Sequence, residues 1–168
     1  NKRGVMTDQT REQMTQEAFF AHVSRHPDKR FDFIDGELVE VAPKPLHGYL
    51  QVKLSVLLSK WLETHPIGVP HTEVLHILNG ENFIPDVSVN AQRGDDQTHF
   101  DTPPLLAVEI RSDTQSRQAQ RRKAIRYIAN GTPAVLLVLP GEGVELFTTA
   151  RGESPQAYTP DQVVADIP

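Results

Sequence analysis

The chain has 168 residues, a formal net charge of −5 and 38% apolar residues, which suits one soluble domain with a single substantial core. It has no cysteine, which excludes a disulfide framework and a thiolate zinc site and suits a reducing compartment. No apolar run approaches the roughly 20 residues of a membrane span and no charged-then-apolar leader opens the chain, so a cytoplasmic protein is expected.

The first Met is Met6, and residues 1–13 are read as a disordered or expression-derived segment outside the fold. Thr15 to His26 predicts an amphipathic helix, with Phe19, Phe20 and Val23 on its apolar side and His26-Pro27-Asp28 stopping it. Phe31 to Ile34 and Glu37 to Val41 predict a hairpin around Asp35-Gly36. A helix from about His47 to Thr64 follows, with Leu50, Leu54, Leu57, Leu58 and Trp61 as its core face. An extended segment from Val69 to Leu78 leads through Asn79-Gly80 into a strand from Phe83 to Val89. Arg93 to Pro104 is polar and reads best as a solvated connector.

Leu105 to Arg111 predicts a second apolar strand, and Ser112 to Gln118 joins it to a basic helix, placed to close over a substrate. Gly131-Thr132-Pro133 ends that helix, and Ala134 to Leu139 is an apolar strand of the central sheet. Gly141-Glu142-Gly143 turns into Val144 to Thr148, and from Tyr158 there is one short element at most. There are no internal repeats.

Acids stand inside two of the apolar strands. The period-two rule puts Asp86 on the face of Ile84 and Ser88, and puts Glu109 with Ala107 and Arg111. A carboxylate buried in a strand is costly unless a cation or several hydrogen bonds compensate it. Two of them suggest a hard divalent cation on oxygen ligands, and Mg²⁺ takes one or two protein carboxylates and keeps several waters. A Lys or Arg beside such a cation completes a kit for phosphoester chemistry. The plainer reading is a paired or edge-exposed acid, because Pro-Asp alone is a turn signal, as at Pro27-Asp28 and Pro160-Asp161. Gly-rich phosphate loops, a nucleophile elbow and a His-Glu-x-x-His pattern are absent. His71 and His76 fall on opposite faces of a strand.

Pro85-Asp86 followed by Glu109-Ile110-Arg111 resembles the motif of the PD-(D/E)XK nuclease superfamily, with Arg where Lys is usual. The chain as a whole resembles the Uma-two family of restriction-endonuclease-like proteins. The matching pieces are Ile34-Asp35-Gly36-Glu37-Leu38-Val39-Glu40, Pro43 with His47, Pro85-Asp86, Ala107-Val108-Glu109-Ile110, then Lys123, Tyr127 and Gly131. The resemblance implies an α/β restriction-endonuclease-like fold, a mixed, curved central sheet flanked by helices, as one domain over residues 14–168. It implies a Mg²⁺-dependent endonuclease acting on DNA, with Mn²⁺ as a substitute metal. Asp86 and Glu109 would hold the metal, with the Ile110 carbonyl assisting.

Lys123 is the first choice for the basic role and Arg111 the alternative, since Arg stabilises charge but hardly accepts a proton. Glu37 resembles the family's extra acid from the first hairpin, and its neighbours Val39 and Val41 suggest that it too points inward. His47 is a second candidate only, for a place behind the metal ligands. The resemblance also implies a homodimer.

The acidic balance, with a pI of about 5.8, argues against a large electrostatic footprint on DNA. The segment from Arg111 to Arg126 nevertheless holds six of the seventeen Lys and Arg, with Asp113 as its one acid. It is the expected phosphate-facing surface, against the alternative of a solvated helix face. The rival reading of the whole chain is a catalytically inactive module that binds nucleic acid or protein on the same fold.

Overall fold

A computed structural model describes residues 14–34, 36–41, 44–112 and 115–164. The N-terminal segment 1–13, Asp35 of the first turn, Pro43 and Asp113 lie outside the described residues.

The elements in chain order are α1 (Gln16–Arg25), β1 (Arg30–Ile34), β2 (Glu37–Val41), α2 (Pro45–Thr64), β3 (Val69–His71), β4 (His76–Leu78) and β5 (Glu81–Phe83). They continue as β6 (Val87–Asn90), β7 (Leu106–Ile110), α3 (Arg117–Ala129), β8 (Ala134–Leu139), β9 (Gly143–Thr148) and β10 (Gln156–Tyr158). A six-stranded mixed sheet, in the order β10-β9-β8-β7-β6-β3, is the centre of the fold, and a four-stranded sheet, β2-β1-β5-β4, flanks it. Among the described strands β7 and β8 form the parallel pair, with α3 as their crossover. The architecture is the mixed α/β class that the sequence implies.

β7 is buried along its whole length, as a central strand covered on both faces must be. Leu106 and Val108 join Leu62 of α2 in one core, while Ala107 packs with Ala124 and Tyr127 of α3 in the other. Fully buried Phe83 and Phe147 anchor the α3 side, each worth roughly 1.5–3 kcal/mol of burial.

The α2 core face differs from the expected one. Leu54, Leu58 and Leu62 pack inward, whereas Leu57 is 61% exposed and Trp61 40%. The apolar positions of this helix run almost all round it, so their spacing alone does not choose the buried stripe.

The strand expected from Phe83 to Val89 is broken. β5 ends at Phe83 and β6 begins at Val87, and the chain crosses between the two sheets at Ile84-Pro85-Asp86. Pro85 has no N–H to give to a ladder, which places it where a strand must end or begin. The Val69 to Leu78 segment is likewise split into β3 and β4, with Glu73 between them at φ 56°. Asn79 and Gly80 both have positive φ, 50° and 83°, closing the β4–β5 hairpin as a two-residue turn of the kind their sequence favours.

The Arg93 to Pro104 connector is not wholly solvated. Phe100 is buried and stacks on His76, and its carbonyl accepts from Ile77 N at 2.9 Å.

Candidate active site

The site forms where β6, β7 and α3 meet the first hairpin. β6 and β7 are antiparallel, with Val87 opposite Val108. One step further along this register brings Asp86 across from Glu109, so the break after β5 places one acid beside the other.

Asp86 is held on both oxygens. Its Oδ2 accepts from the backbone N–H of Ile110 at 2.7 Å, and its Oδ1 is 2.9 Å from His47 Nε2. Gln51 Nε2 donates to the Asp86 carbonyl at 2.9 Å. His47 and Gln51 lie on the same side of α2, one turn apart, so the start of this helix fixes the Pro-Asp segment. The hydrogen bond to Asp86 raises the His47 pKa from its ordinary value, against the opposing effect of burial.

Lys123 reaches Glu109 from the core stripe of α3. Gln120, Lys123, Ala124 and Tyr127 are the buried residues of that helix, at the i, i+3, i+4, i+7 spacing of one face. Ser116 caps the start of the helix by accepting from Ala119 N at 3.1 Å. Gly131, at φ 96°, ends it, and Thr132 N donates back to the Tyr127 carbonyl at 3.0 Å.

Lys123 Nζ donates to Glu109 Oε2 at 2.8 Å and to Asp32 Oδ2 at 2.7 Å. Tyr127 OH donates to Glu109 Oε1 at 2.9 Å. Asp32, Asp86, Glu109, His47 and Lys123 line one small cavity of about 20 Å³, together with Ile84, Ile110, Ser112 and Gln115. That is room for about one water or ion.

Charge in this cavity is unbalanced. Three carboxylates converge, and the one buried ammonium lies between two of them. Burial, with Asp86 and Asp32 adding to it, pushes Glu109 up to about 8 despite the neighbouring Lys123. Burial also raises Asp32, against the pull of Lys123. Lys123 itself is raised: burial opposes its charge, but Asp32 and Glu109 outweigh it. Burial and the Glu109 carboxylate raise Tyr127, which remains a hydroxyl donor.

Burial and the neighbouring carboxylates thus favour a proton on Glu109, for want of a second ammonium. Its donors are oxygens, and each oxygen named here accepts one hydrogen bond and has lone-pair capacity left. Among the described residues no three His, Asp or Glu are grouped as a ready metal cage. The pair Asp86 and Glu109 suits a hydrated hard cation, which needs only one or two carboxylates, and Ile110 lines the same cavity.

The hairpin acid is Asp32 of β1, and Glu37 lies away from the cluster. Asp32 is buried among the site residues, whereas Glu37 is exposed at the start of β2. Ile34 pairs with Glu37 and Asp32 with Val39, so Asp32 and Glu37 share a face of the hairpin. They differ in distance from the turn, and only Asp32 is level with Lys123. The signal for Asp32 was present in Phe31-Asp32-Phe33, a carboxylate between two aromatic residues in a strand.

Arg111 is also outside the cluster. β7 ends at Ile110, the Arg111 N–H carries the ladder one bond further to the Val138 carbonyl at 2.9 Å, and Arg111 Nη2 pairs with Glu142 Oε1 at 2.6 Å. Strand alternation stops with the strand, and an acid in the β8–β9 turn captures the guanidinium.

The basic helix is largely engaged with the protein itself. Arg117 and Arg121 clamp the buried Glu145 of β9, Arg121 with Nε at 2.7 Å from Oε2, and Arg126 Nη2 pairs with Glu81 at 2.7 Å. The hydrogen bond from Arg121 holds Glu145 below the usual carboxylate range. His71 and His76 meet through Asn90, which lies 2.9 Å from His76 Nε2 and 3.2 Å from His71 Nδ1.

Comparison with known proteins agrees with this fold. A protein from Anabaena variabilis ATCC 29413, described in its crystal structure as a putative nuclease belonging to DUF820, matches with a TM-score of 0.76 at 18% identity, over 90% of this chain and 88% of that one. At that identity the likeness establishes the fold. No curated protein matches the chain. The model of the Uma2 family, described as "Putative restriction endonuclease", matches residues 16–166. With nearly the whole chain matched, the protein belongs to the Uma2 family.

Proposed function

We propose that the protein is a metal-dependent endonuclease that hydrolyses phosphodiester bonds of DNA, with Mg²⁺ as its ion and Mn²⁺ as a substitute. The observation that carries this reading is the cation-poor cluster, in which Asp32, Asp86 and Glu109 line one cavity and the ammonium of Lys123 pairs with Asp32 and Glu109. The family's description and that of the related fold, both nuclease descriptions, support it.

Asp86 and Glu109 hold the ion. When bound, it supplies Lewis acidity to a phosphate oxygen and lowers the pKa of a coordinated water. Asp86 is presented for this by the Ile110 N–H and by His47. Glu109 would serve as an ionised carboxylate ligand, so ion binding would strengthen as pH rises. Lys123 stays charged between its two carboxylates, which makes it a donor that orients water or stabilises charge developing on phosphorus, rather than a proton acceptor. Asp32 positions that ammonium. The exposed apolar side chains of α2 are the surface on which a second copy packs in a homodimer.

The test is cleavage of plasmid and single-stranded DNA with Mg²⁺, Mn²⁺ or EDTA, comparing the parent with Glu109→Gln. Metal-dependent cutting that disappears in the variant is expected. A parent that cuts nothing, with a Tm unmoved by millimolar Mg²⁺, identifies instead a binding module on the same fold, because an ion bound only by the folded state must raise its stability.

A further inference from the structure

A second, larger cavity adjoins the acid cluster. It has a volume of about 180 Å³ and is lined by Lys44, Leu46, His47, Arg111, Ser112 and Pro140. His47 and Ser112 also line the small cavity of the carboxylates, so the two adjoin. Their charges are opposite: among the described residues the small cavity collects acids, and the larger one has two cations and no carboxylate in its lining.

The start of α2 adds to this. Lys44 is the N-cap and makes no side-chain capping bond, Pro45 follows, and the first turn holds no acid. The positive end of a 20-residue helix is therefore not neutralised by a side chain of its own first turn. His47 is nine-tenths buried, and its Nδ1 has no hydrogen-bond partner among the described residues. Arg111 gives one nitrogen to Glu142 and has five N–H donors in all, which leaves donors for an anion.

We propose that this cavity is a phosphate subsite that receives the phosphodiester next to the scissile one, with Arg111 as its principal contact and the α2 N-terminus completing it. The proposal rests on the nuclease reading and extends it. It gives Arg111 a substrate-binding role outside the catalytic cluster, holding the strand on one side of the cut.

The probe is a short fluorescein-labelled DNA duplex, titrated by anisotropy in Ca²⁺ over a range of salt concentrations against the parent, Arg111→Gln, Arg111→Lys and Arg122→Gln. Arg122 is an exposed residue of α3 outside the cavity, so its variant controls for a simple loss of charge. Arg111→Gln is expected to weaken binding by about tenfold and to lower the slope of log affinity against log salt by about one, as loss of one phosphate contact requires. Arg111→Lys should recover the slope but only part of the affinity, and Arg122→Gln should change both less.

Inorganic phosphate provides an arm that is independent of cutting: it should raise the Tm of the parent and not of Arg111→Gln. A parent that cleaves DNA while Arg111→Gln binds with unchanged affinity and salt slope overturns the subsite and leaves the nuclease reading standing. A parent that neither cuts nor binds DNA overturns both.

Discussion

Lys123 Nζ lies 2.7 Å from Asp32 Oδ2, joining α3 to the first hairpin across 91 positions of sequence. Both groups are buried, and Glu109 shares the same ammonium. Lys123→Met leaves two buried carboxylates with no cation, and should cost about 3–5 kcal/mol in chemical denaturation. Asp32→Asn in the same chain should recover part of that loss, because the two sites are coupled. Additive losses in the double variant would show that the contact carries no interaction energy.

The two hairpin acids should differ in their effect on cleavage. Asp32→Asn removes a carboxylate that holds Lys123, and should lower the cleavage rate by at least tenfold while the fold persists. Glu37→Gln changes an exposed side chain and should leave cleavage and stability near those of the parent, within about 0.5 kcal/mol. Equal losses in the two variants would return the hairpin acid to Glu37.

Stability of the metal-free protein should fall as pH rises from about 4.5 to 8. Glu109 keeps its proton in the folded state up to about 8, whereas the unfolded chain releases it near its ordinary value. In that window the folded state binds more protons, so the slope of unfolding free energy with pH is negative, at most about 1.4 kcal/mol per pH unit for one proton. His47 acts in the same direction: its raised pKa gives stability that is complete below its ordinary value and lost as pH rises through the folded value. Tm measured across this range in EDTA should decline for the parent and more weakly for Glu109→Gln. Burial lowers the His76 pKa and acts the other way near neutral pH, so the deciding quantity is the difference, and a Glu109→Gln profile parallel to that of the parent would contradict the protonated cluster.

Saturating Mg²⁺ should reverse that trend. An ion that displaces the Glu109 proton binds more tightly at higher pH, so the Tm gain on adding millimolar Mg²⁺ should be larger at pH 8 than at pH 6. Glu109→Ala should abolish the gain and keep a cooperative transition. A variant that is stabilised as the parent is would remove Glu109 from the metal.

Sedimentation tests the second copy. Val52, Val56 and Leu57 are 65%, 49% and 61% exposed along α2, more apolar surface than a helix in water normally shows. The parent should sediment as a dimer and Val56→Glu with Leu57→Glu as a monomer. A monomeric parent at all concentrations would end the dimer proposal.

The sequence by itself determined the fold class and singled out two acids and a lysine that the fold brings to one cavity. Asp86 and Glu109 stood out because a charge inside an apolar strand needs a reason, and Lys123 because the family pattern marks it. The turn at Asn79-Gly80 and the end of α3 at Gly131 were equally legible, since they depend on residues within a few positions of one another.

Tertiary structure alone decided which hairpin acid reaches Lys123, where Arg111 turns and which side of α2 is buried. Alternation assigns a residue to a face of a strand but not to a height along it, and two residues of offset, about 6.6 Å, separate Asp32 from the Ile34–Glu37 level. Arg111 stands one position past the end of its strand, where alternation no longer applies and the nearest acid, Glu142, sets its direction. Both outcomes depend on residues brought together from distant parts of the chain, and local periodicity carries no information about them.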